Sequence, residues 1–187
     1  MSPPFAFGKR RPGVSDSVET MNLYILRHGV AVEPGTPGFA RDADRILTPE
    51  GEGKLRKIAK AMEAMELEFD LILSSPYLRA KQTAQIIAKA FGERLQVELT
   101  DALVPGGSMK KLIDLIHQLD PSPTNLLLVG HEPSLSDLIS LLVSGGHGVP
   151  VMMKKGGLCK LSCDRLSAGR CATLQWLLTP KQMALMA

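Results

Sequence analysis

Cysteine is scarce in this chain and follows no metal-binding or redox pattern. Cys159, Cys163 and Cys171 make an odd number, and their spacing fits neither a zinc site nor a Cys-x-x-Cys motif. No signal peptide indicates an oxidising compartment. The cysteines therefore favour a cytoplasmic protein with reduced thiols over a disulfide-rich secreted one.

The sequence also lacks a long apolar run, a strong charge of one sign and any internal repeat. No apolar stretch approaches the roughly 18 residues that a membrane-spanning helix needs. The net charge is only +3 and the basic residues form no long run, so neither nucleic acid nor a membrane surface is an expected partner. With 187 residues, 44% of them hydrophobic, the chain can form one domain with a sizeable core.

Residues 1–20 show no apolar periodicity. They contain three prolines, two glycines and three serines, which predicts a poorly ordered N-terminal tail. Met21 directly precedes the first predicted strand and is a candidate for the natural start. Residues 21–187 show no sign of a second domain and are predicted to form a single one.

Three short apolar runs have no helical spacing and predict buried β-strands at residues 22–26, 69–73 and 125–130. They are apolar on both faces, which is typical of a parallel sheet covered by helices on both sides. The predicted fold is therefore α/β, with a mostly parallel sheet. Further strands are predicted at residues 95–99, 158–163 and 172–178, the last two with some antiparallel pairing.

Capping residues predict where the connecting helices begin. Thr48 and Ser75, each followed by a proline, are predicted to be the N-caps of the first and second helices. Ser108 is predicted to cap the third, and the glycine-rich residues 106–111 around it lack the spacing of a nucleotide-binding P-loop. A fourth helix is predicted after Pro133.

Three strand-to-helix junctions carry side chains suited to a phosphoryl group. Arg27 and His28 follow the first strand, Arg79 lies one turn into the helix after the second, and His131 follows the strand at residues 125–130. Because the carboxyl ends of adjacent parallel strands share one edge of a sheet, these side chains are expected to converge. Arginine supplies planar donors for phosphate oxygens, and a neutral imidazole is a competent nucleophile towards phosphorus. Two helix N-termini are expected to face the same region.

The connection at residues 30–47 is longer than most strand-to-helix loops, which makes it a candidate for lining a site. Its charged side chains are interpreted mainly as ordinary solvated loop charges. His117 and His147 are likewise interpreted as surface histidines. The charged residues of the connection are Glu33, Arg41, Asp42, Asp44 and Arg45.

Three motifs in the sequence resemble those of the histidine phosphatase superfamily. They are residues 26–29 (Leu-Arg-His-Gly), residues 74–84 (Ser-Ser-Pro-Tyr-Leu-Arg-Ala-Lys-Gln-Thr-Ala) and residues 129–133 (Val-Gly-His-Glu-Pro). The resemblance extends from Met21 nearly to the C-terminus, and among members the chain looks most like SixA-type phosphohistidine phosphatases.

The resemblance implies a phosphoglycerate-mutase-like fold, a three-layer α/β/α sandwich. It implies that His28 is the nucleophile that accepts the phosphoryl group. It further implies that Arg27, Arg79 and His131 bind the transferred phosphate and stabilise its charge, with Gly29 also at the binding site. The resemblance implies no metal and no cofactor.

The chain departs from the mutase branch of this superfamily. Val30 and Ala31 follow the Arg-His-Gly motif where mutases usually have an acidic residue and then an asparagine. Residues 101–105 contain no glutamate where mutases carry their general acid, although Asp101 or Glu33 could stand in. Because a leaving imidazole can already carry a proton, the missing acid favours a phosphoramidate substrate, as in SixA-type enzymes.

No inserted segment is long enough to form a separate lid, so the sequence predicts a shallow, open cleft. Such a cleft suits a phosphate displayed on another protein better than a small sugar phosphate. The expected substrate is therefore phosphohistidine on a protein. The alternatives are a phosphatase of small phosphomonoesters and a phosphate-binding module without turnover.

Overall fold

The computed structural model describes residues 20–92 and 95–186, and six strands of this part form one sheet. The order across the sheet is β3-β2-β4-β1-β5-β6. Strands β1 to β4 run parallel, whereas β5 pairs antiparallel with β1 and β6 pairs antiparallel with β5. The strands are β1 (Met21–Arg27), β2 (Leu71–Ser74), β3 (Gln96–Leu99), β4 (Asn125–Gly130), β5 (Leu158–Cys163) and β6 (Thr173–Leu178).

The mostly parallel sheet predicted from the sequence is thus confirmed. The prediction of a poorly ordered tail over residues 1–20 lies, apart from Thr20, outside the described residues. The helices between the strands are α1 (Pro49–Ala64), α2 (Leu78–Phe91), α3 (Met109–His117) and α4 (Ser134–Ser144), and α5 (Pro180–Met183) follows β6; 3-10 turns lie at Asp42–Asp44 and Asp101–Leu103. None of the described helices is long and apolar enough to cross a membrane.

Two of the three predicted N-caps are confirmed. The Thr48 side chain accepts a hydrogen bond from the Gly51 N–H at the start of α1, and that of Ser108 accepts one from the Lys111 N–H at the start of α3. The prediction for Ser75 is wrong, because α2 begins two residues later than Pro76, with Tyr77 at the N-cap position and no side-chain cap.

The alternation of side chains along the strands builds two cores, one on each face of the sheet. Leu23 and Ile25 of β1 join the core under α3 and α4. Tyr24 and Leu26 of the same strand join the core under α1, α2 and α5. The helices therefore cover both faces, and the predicted three-layer α/β/α arrangement is confirmed.

Strand register aligns the ends of the central strands. Arg27 of β1 lies opposite Gly130 of β4, and Ser74 of β2 lies opposite Val129. The residues that follow each strand therefore leave the sheet at the same edge, where ligands bind in open α/β sheets.

Candidate active site

The four side chains that the junctions predicted lie at this carboxyl edge. His28 and His131 are 5% and 2% exposed, and their ring centroids are 5.0 Å apart. Arg79 is 4% exposed and donates through Nε to Nε2 of His28 over 3.3 Å. The Arg27 side chain is close enough for its charge to lower the pKa of both imidazoles. The expected convergence is therefore observed, with the imidazoles beneath the surface rather than on it.

The hydrogen bonds of His28 define which ring nitrogen can react. Nδ1 lies 2.7 Å from the backbone oxygen of Gly29, and because a carbonyl only accepts, Nδ1 must carry the proton. Nε2 then has a free electron pair, to which Arg79 donates. Burial is the largest cause that lowers the pKa of His28 to about 3; the hydrogen bond to Gly29 acts in the opposite sense, and the neighbouring His131, Arg79 and Arg27 add to the lowering. His28 is thus a neutral imidazole with its Nε2 electron pair at the site.

Gly29 occupies a position that has no room for a side chain. A Cβ atom there would lie 2.6 Å from Cδ1 of Leu55 on α1. Its N–H donates to Oγ1 of Thr83, which in turn donates to the backbone oxygen of Arg79. Gly29 therefore joins the end of β1 to both α1 and α2, and the backbone that carries His28 is held close to Arg79.

The connection between β1 and α1 contributes a carboxylate that sequence reasoning missed. Arg79 donates through one terminal nitrogen to the backbone oxygen of Asp42 (2.6 Å) and through the other to Oδ2 of Asp42 (2.8 Å). Arg45, which is buried, donates to Oδ1 of the same carboxylate over 2.7 Å. Although partial burial acts in the opposite sense, the hydrogen bonds from Arg45 and Arg79 hold the pKa of Asp42 below its usual value. Asp42 therefore orients the Arg79 guanidinium as an ionised carboxylate.

The segment before β5 fixes Arg27 and the end of β1. Arg27 donates to the backbone oxygen of Met153 over 2.7 Å. The Gly156 N–H donates to the backbone oxygens of both Arg27 and His28, at 3.0 and 3.1 Å. The Nε atom of Arg27 is buried and has no hydrogen-bond partner within the described part of the chain. Such a donor is suited to an anionic ligand.

His131 is held from one side of its ring. Its Nε2 lies 2.9 Å from the hydroxyl oxygen of Ser75, and the Tyr77 ring packs edge-on against it with a centroid distance of 5.3 Å. Burial, followed by the charge of Arg79, lowers the pKa of His131 to about 3. Its Nδ1 is buried and finds no hydrogen-bond partner among residues 20–92 and 95–186.

The donor set at this edge suits an oxyanion. Two guanidinium groups and the two imidazoles lie together, and α2 and α4 begin directly beyond the ends of β2 and β4, with the positive ends of their dipoles at this edge. In the described ranges, no group of three or more His, Cys, Asp or Glu side chains is placed to hold a metal ion.

Neither carboxylate considered for proton donation touches the four side chains in the part of the chain that the structure describes. Asp101 is exposed at the start of a 3-10 turn. The Glu33 side chain is 76% exposed, and Oε1 lies 3.7 Å from Nζ of Lys155. Asp42 is the carboxylate that the structure brings to Arg79 instead.

The lowered pKa values of the buried imidazoles predict a pH-dependent stability. Both pKa values are about 3 in the folded protein and about 6.5 in an unfolded chain, so the unfolded state binds more protons between these values. The free energy of unfolding is therefore expected to fall as pH decreases below about 6.5, by up to ~1.4 kcal/mol per pH unit for each histidine. Urea unfolding in phosphate-free buffer at a series of pH values measures this slope.

A His28→Asn variant separates this contribution from that of the carboxylates. Because the variant keeps His131 and every acidic residue, its slope below pH 6.5 is expected to be shallower than that of the parent by about one histidine's share. Equal slopes in the two proteins would contradict a neutral, buried His28.

Comparisons with known proteins agree with this geometry. The family model described as histidine phosphatase superfamily (branch 1) matches residues 23–105. An uncharacterized protein of Picosynechococcus is 35% identical over 165 residues, which cover 86% of this chain and 98% of the relative. The phosphohistidine phosphatase SixA of Escherichia coli is 26% identical over 161 residues, which cover 86% of this chain and 94% of the relative. A solved structure of the protein histidine phosphatase SixA complexed with tungstate matches with a TM-score of 0.74 at 25% identity, covering 86% of this chain and 98% of that one.

Proposed function

The chain belongs to the histidine phosphatase superfamily, and we propose that it is a phosphatase that forms a covalent intermediate on His28 and takes its phosphoryl group from phosphohistidine on a protein. The observation that carries this proposal is the hydrogen bond of Nδ1 of His28 to the Gly29 oxygen, which leaves the Nε2 electron pair beside Arg79. A nucleophile and an anion-binding guanidinium thus share one buried site.

In the first step, the electron pair on Nε2 of His28 attacks phosphorus in line with the leaving group. Arg79 Nε releases Nε2 and turns to a phosphoryl oxygen, while Arg27 Nε and Nδ1 of His131 bind the other oxygens. The bond between phosphorus and the substrate nitrogen breaks as the new bond to Nε2 forms. The positive charge that develops on the His28 ring is stabilised by its hydrogen bond to Gly29.

In the second step, a water molecule attacks the phosphorus of the phosphorylated His28. The Nε2–phosphorus bond breaks, the electron pair returns to His28, and inorganic phosphate leaves as dihydrogen phosphate with the oxygen and both protons of the water. The same donors stabilise the charge in both steps, because the phosphoryl oxygens stay in place while the group opposite to His28 changes from substrate to water.

The charges at the site favour a leaving group that needs no acid. Asp42 contacts Arg79 but stays ionised, because hydrogen bonds from two arginines hold its pKa low. A phosphohistidine that is protonated on its second ring nitrogen leaves as a neutral imidazole, whereas an alkoxide must be protonated as it departs. The site therefore supports phosphoramidate cleavage better than phosphomonoester cleavage.

A surface groove close to the end of β1 supports a protein substrate. Val30, two residues after His28, lines this groove, and four of its eight lining residues are lysines, with no acidic residue among the eight. Two of these lysines form ion pairs, Lys54 with Glu50 and Lys155 with Glu33. A lysine-rich groove that includes Val30 suits the acidic surface of a partner protein. The lysines are Lys54, Lys57, Lys155 and Lys181.

A substrate panel tests the proposal. The panel contains a purified histidine phosphotransfer protein in its phosphorylated form, free phosphohistidine and p-nitrophenyl phosphate. We expect kcat/KM for the phosphoprotein to exceed that for the phosphomonoester by roughly a hundredfold or more, because only the imidazole leaves without an acid. Raising the ionic strength is expected to lower kcat/KM for the phosphoprotein and to leave that for free phosphohistidine nearly unchanged.

Other outcomes would identify another function. Rapid turnover of the phosphomonoester with none of phosphohistidine would replace the proposal with a small-molecule phosphatase. Binding of the phosphoprotein without release of phosphate would indicate a phosphate-binding module.

A further inference from the structure

Ser75 follows β2, and its side chain is fully buried against His131. The hydroxyl oxygen of Ser75 lies 2.9 Å from Nε2 of His131. The same oxygen accepts a hydrogen bond of 3.2 Å from the backbone N–H of Tyr77. Throughout residues 20–92 and 95–186, no other group hydrogen-bonds to this oxygen.

The Ser75–His131 contact can be made in two ways, which differ in where the imidazole proton lies. In the first, the Ser75 hydroxyl donates to Nε2 of His131, so the ring proton is on Nδ1. In the second, Nε2 carries the proton and donates to the Ser75 oxygen, so Nδ1 has an electron pair.

Counting hydrogen bonds favours the first arrangement. In the second arrangement the described residues would offer the Ser75 hydroxyl proton no acceptor and Nδ1 of His131 no donor, although both groups are buried. In the first arrangement the hydroxyl both donates and accepts, and of these two side chains only the Nδ1–H of His131 lacks a partner among the described residues. Since each unsatisfied buried polar group is costly, the arrangement with one such group is preferred over that with two.

We propose that Ser75 is a positioning residue that fixes the tautomer of His131 by donating to Nε2, so that Nδ1–H is offered to a phosphoryl oxygen. The use of that proton on a phosphoryl group rests on the proposed function, whereas the tautomer itself does not. Tyr77 takes part because its N–H occupies one electron pair of the Ser75 oxygen without removing its proton.

The two buried histidines then divide their tasks. Both carry the ring proton on Nδ1, but their partners lie on opposite sides of the ring. The Nδ1–H of His28 donates to the Gly29 oxygen, which leaves the electron pair of Nε2 free. The Nε2 of His131 accepts from the Ser75 hydroxyl, which leaves the Nδ1–H free. One ring is thereby set up to attack phosphorus and the other to bind the oxygens around it.

Imidazole NMR tests the tautomer without reference to activity. Long-range ¹H–¹⁵N spectra of the ¹⁵N-labelled full chain, in phosphate-free buffer at neutral pH, distinguish a protonated from an unprotonated ring nitrogen. His131 is assigned as the signal set that disappears in a His131→Gln variant. We expect a protonated Nδ1 and an unprotonated Nε2. The reverse pattern would overturn the proposal.

A Ser75→Ala variant tests whether Ser75 is what fixes the tautomer of His131. It is expected to lose the Nδ1 preference of His131 and to lower kcat/KM by roughly ten- to a hundredfold. Ser74→Ala is the matched control, because Ser74 is equally buried and its hydroxyl donates to the Ser75 backbone oxygen rather than to His131. The control is expected to keep both the tautomer and the activity. An unchanged His131 pattern in Ser75→Ala would overturn the role of Ser75.

Further measurements separate a failure of the Ser75 proposal from misfolding of the variant and from a failure of the proposed function. If Ser75→Ala does not fold, the parent spectrum still decides the tautomer, and Ser75→Thr, which keeps the hydroxyl, is expected to retain the Nδ1 pattern. A protonated Nδ1 in a protein without phosphatase activity would leave the role of Ser75 standing and overturn the proposed function. A protonated Nε2 in an active phosphatase would overturn the role of Ser75 and leave the proposed function standing.

Discussion

A His28→Ala variant is expected to lose phosphate release by a factor of at least about 10⁴ while keeping its fold. The alanine removes the Nε2 electron pair, and no described side chain offers a second nucleophile in the same place. The neighbouring His131 cannot replace it, because its ring is held by Ser75 and faces the site with the other nitrogen. The measurement is release of inorganic phosphate from phosphohistidine, together with circular dichroism to follow the fold.

His147→Ala is the matched control for this experiment. The side chain of His147 is 75% exposed, and its contact with Asp137 is long, at 3.7 Å. The control is expected to match the parent in rate, so a loss confined to His28→Ala reports on the site rather than on histidine removal in general. Substantial activity in His28→Ala would mean that another group attacks phosphorus.

The parts of the fold that the sequence predicts are those set by local chemistry. The buried strands are continuous apolar runs because the sheet is covered on both faces, and β4 was predicted with the bounds observed. The start of α1 follows from Thr48 and Pro49, whose side chains act within one turn of the backbone. The convergence of Arg27, Arg79 and His131 with His28 is expected only if their strands are parallel and adjacent, and the observed strand order meets that condition.

The prediction for Ser75 failed because a distant residue competes for its hydroxyl. A serine before a proline usually caps the helix that follows. Here the Ser75 oxygen accepts a hydrogen bond from the Tyr77 N–H, and its hydroxyl is hydrogen-bonded to His131, which is 56 residues away in the chain. No local pattern contains that contact, and it depends on β2 and β4 being neighbours in the sheet.

The charged residues at positions 30–47 also show that contacts with distant residues cannot be predicted from the local sequence. The interpretation as solvated loop charges holds for Arg41 and Asp44, which pair with each other at the surface. It is wrong for Asp42 and Arg45, since Asp42 binds Arg79 on α2 and the Arg45 side chain is largely buried beside it. The two pairs alternate within five residues, so composition and spacing could not separate them.

An Arg79→Ala variant is expected to lower kcat/KM by roughly a hundredfold or more, as the loss of an oxyanion donor does. Arg79 bridges Nε2 of His28 and the Asp42 carboxylate. Its removal therefore takes away a hydrogen-bond donor to the phosphoryl oxygens at the point where the nucleophile attacks. Arg79→Lys is expected to recover little of this activity, because one ammonium cannot replace a planar fork that contacts two partners. Both variants are compared with the parent on free phosphohistidine, which needs no protein docking.

Arg41→Ala is the control, because Arg41 belongs to the same segment as Asp42 but is exposed, and among the described residues its side chain hydrogen-bonds only to Asp44. It is expected to keep the parent kcat/KM, which separates the effect of Arg79 from a general loss of positive charge. Parent-like activity in Arg79→Ala would mean that the phosphoryl oxygens are bound by Arg27 and His131 alone. In that case the contact between Arg79 and Nε2 of His28 would be a structural bond of the resting protein and not part of the reaction.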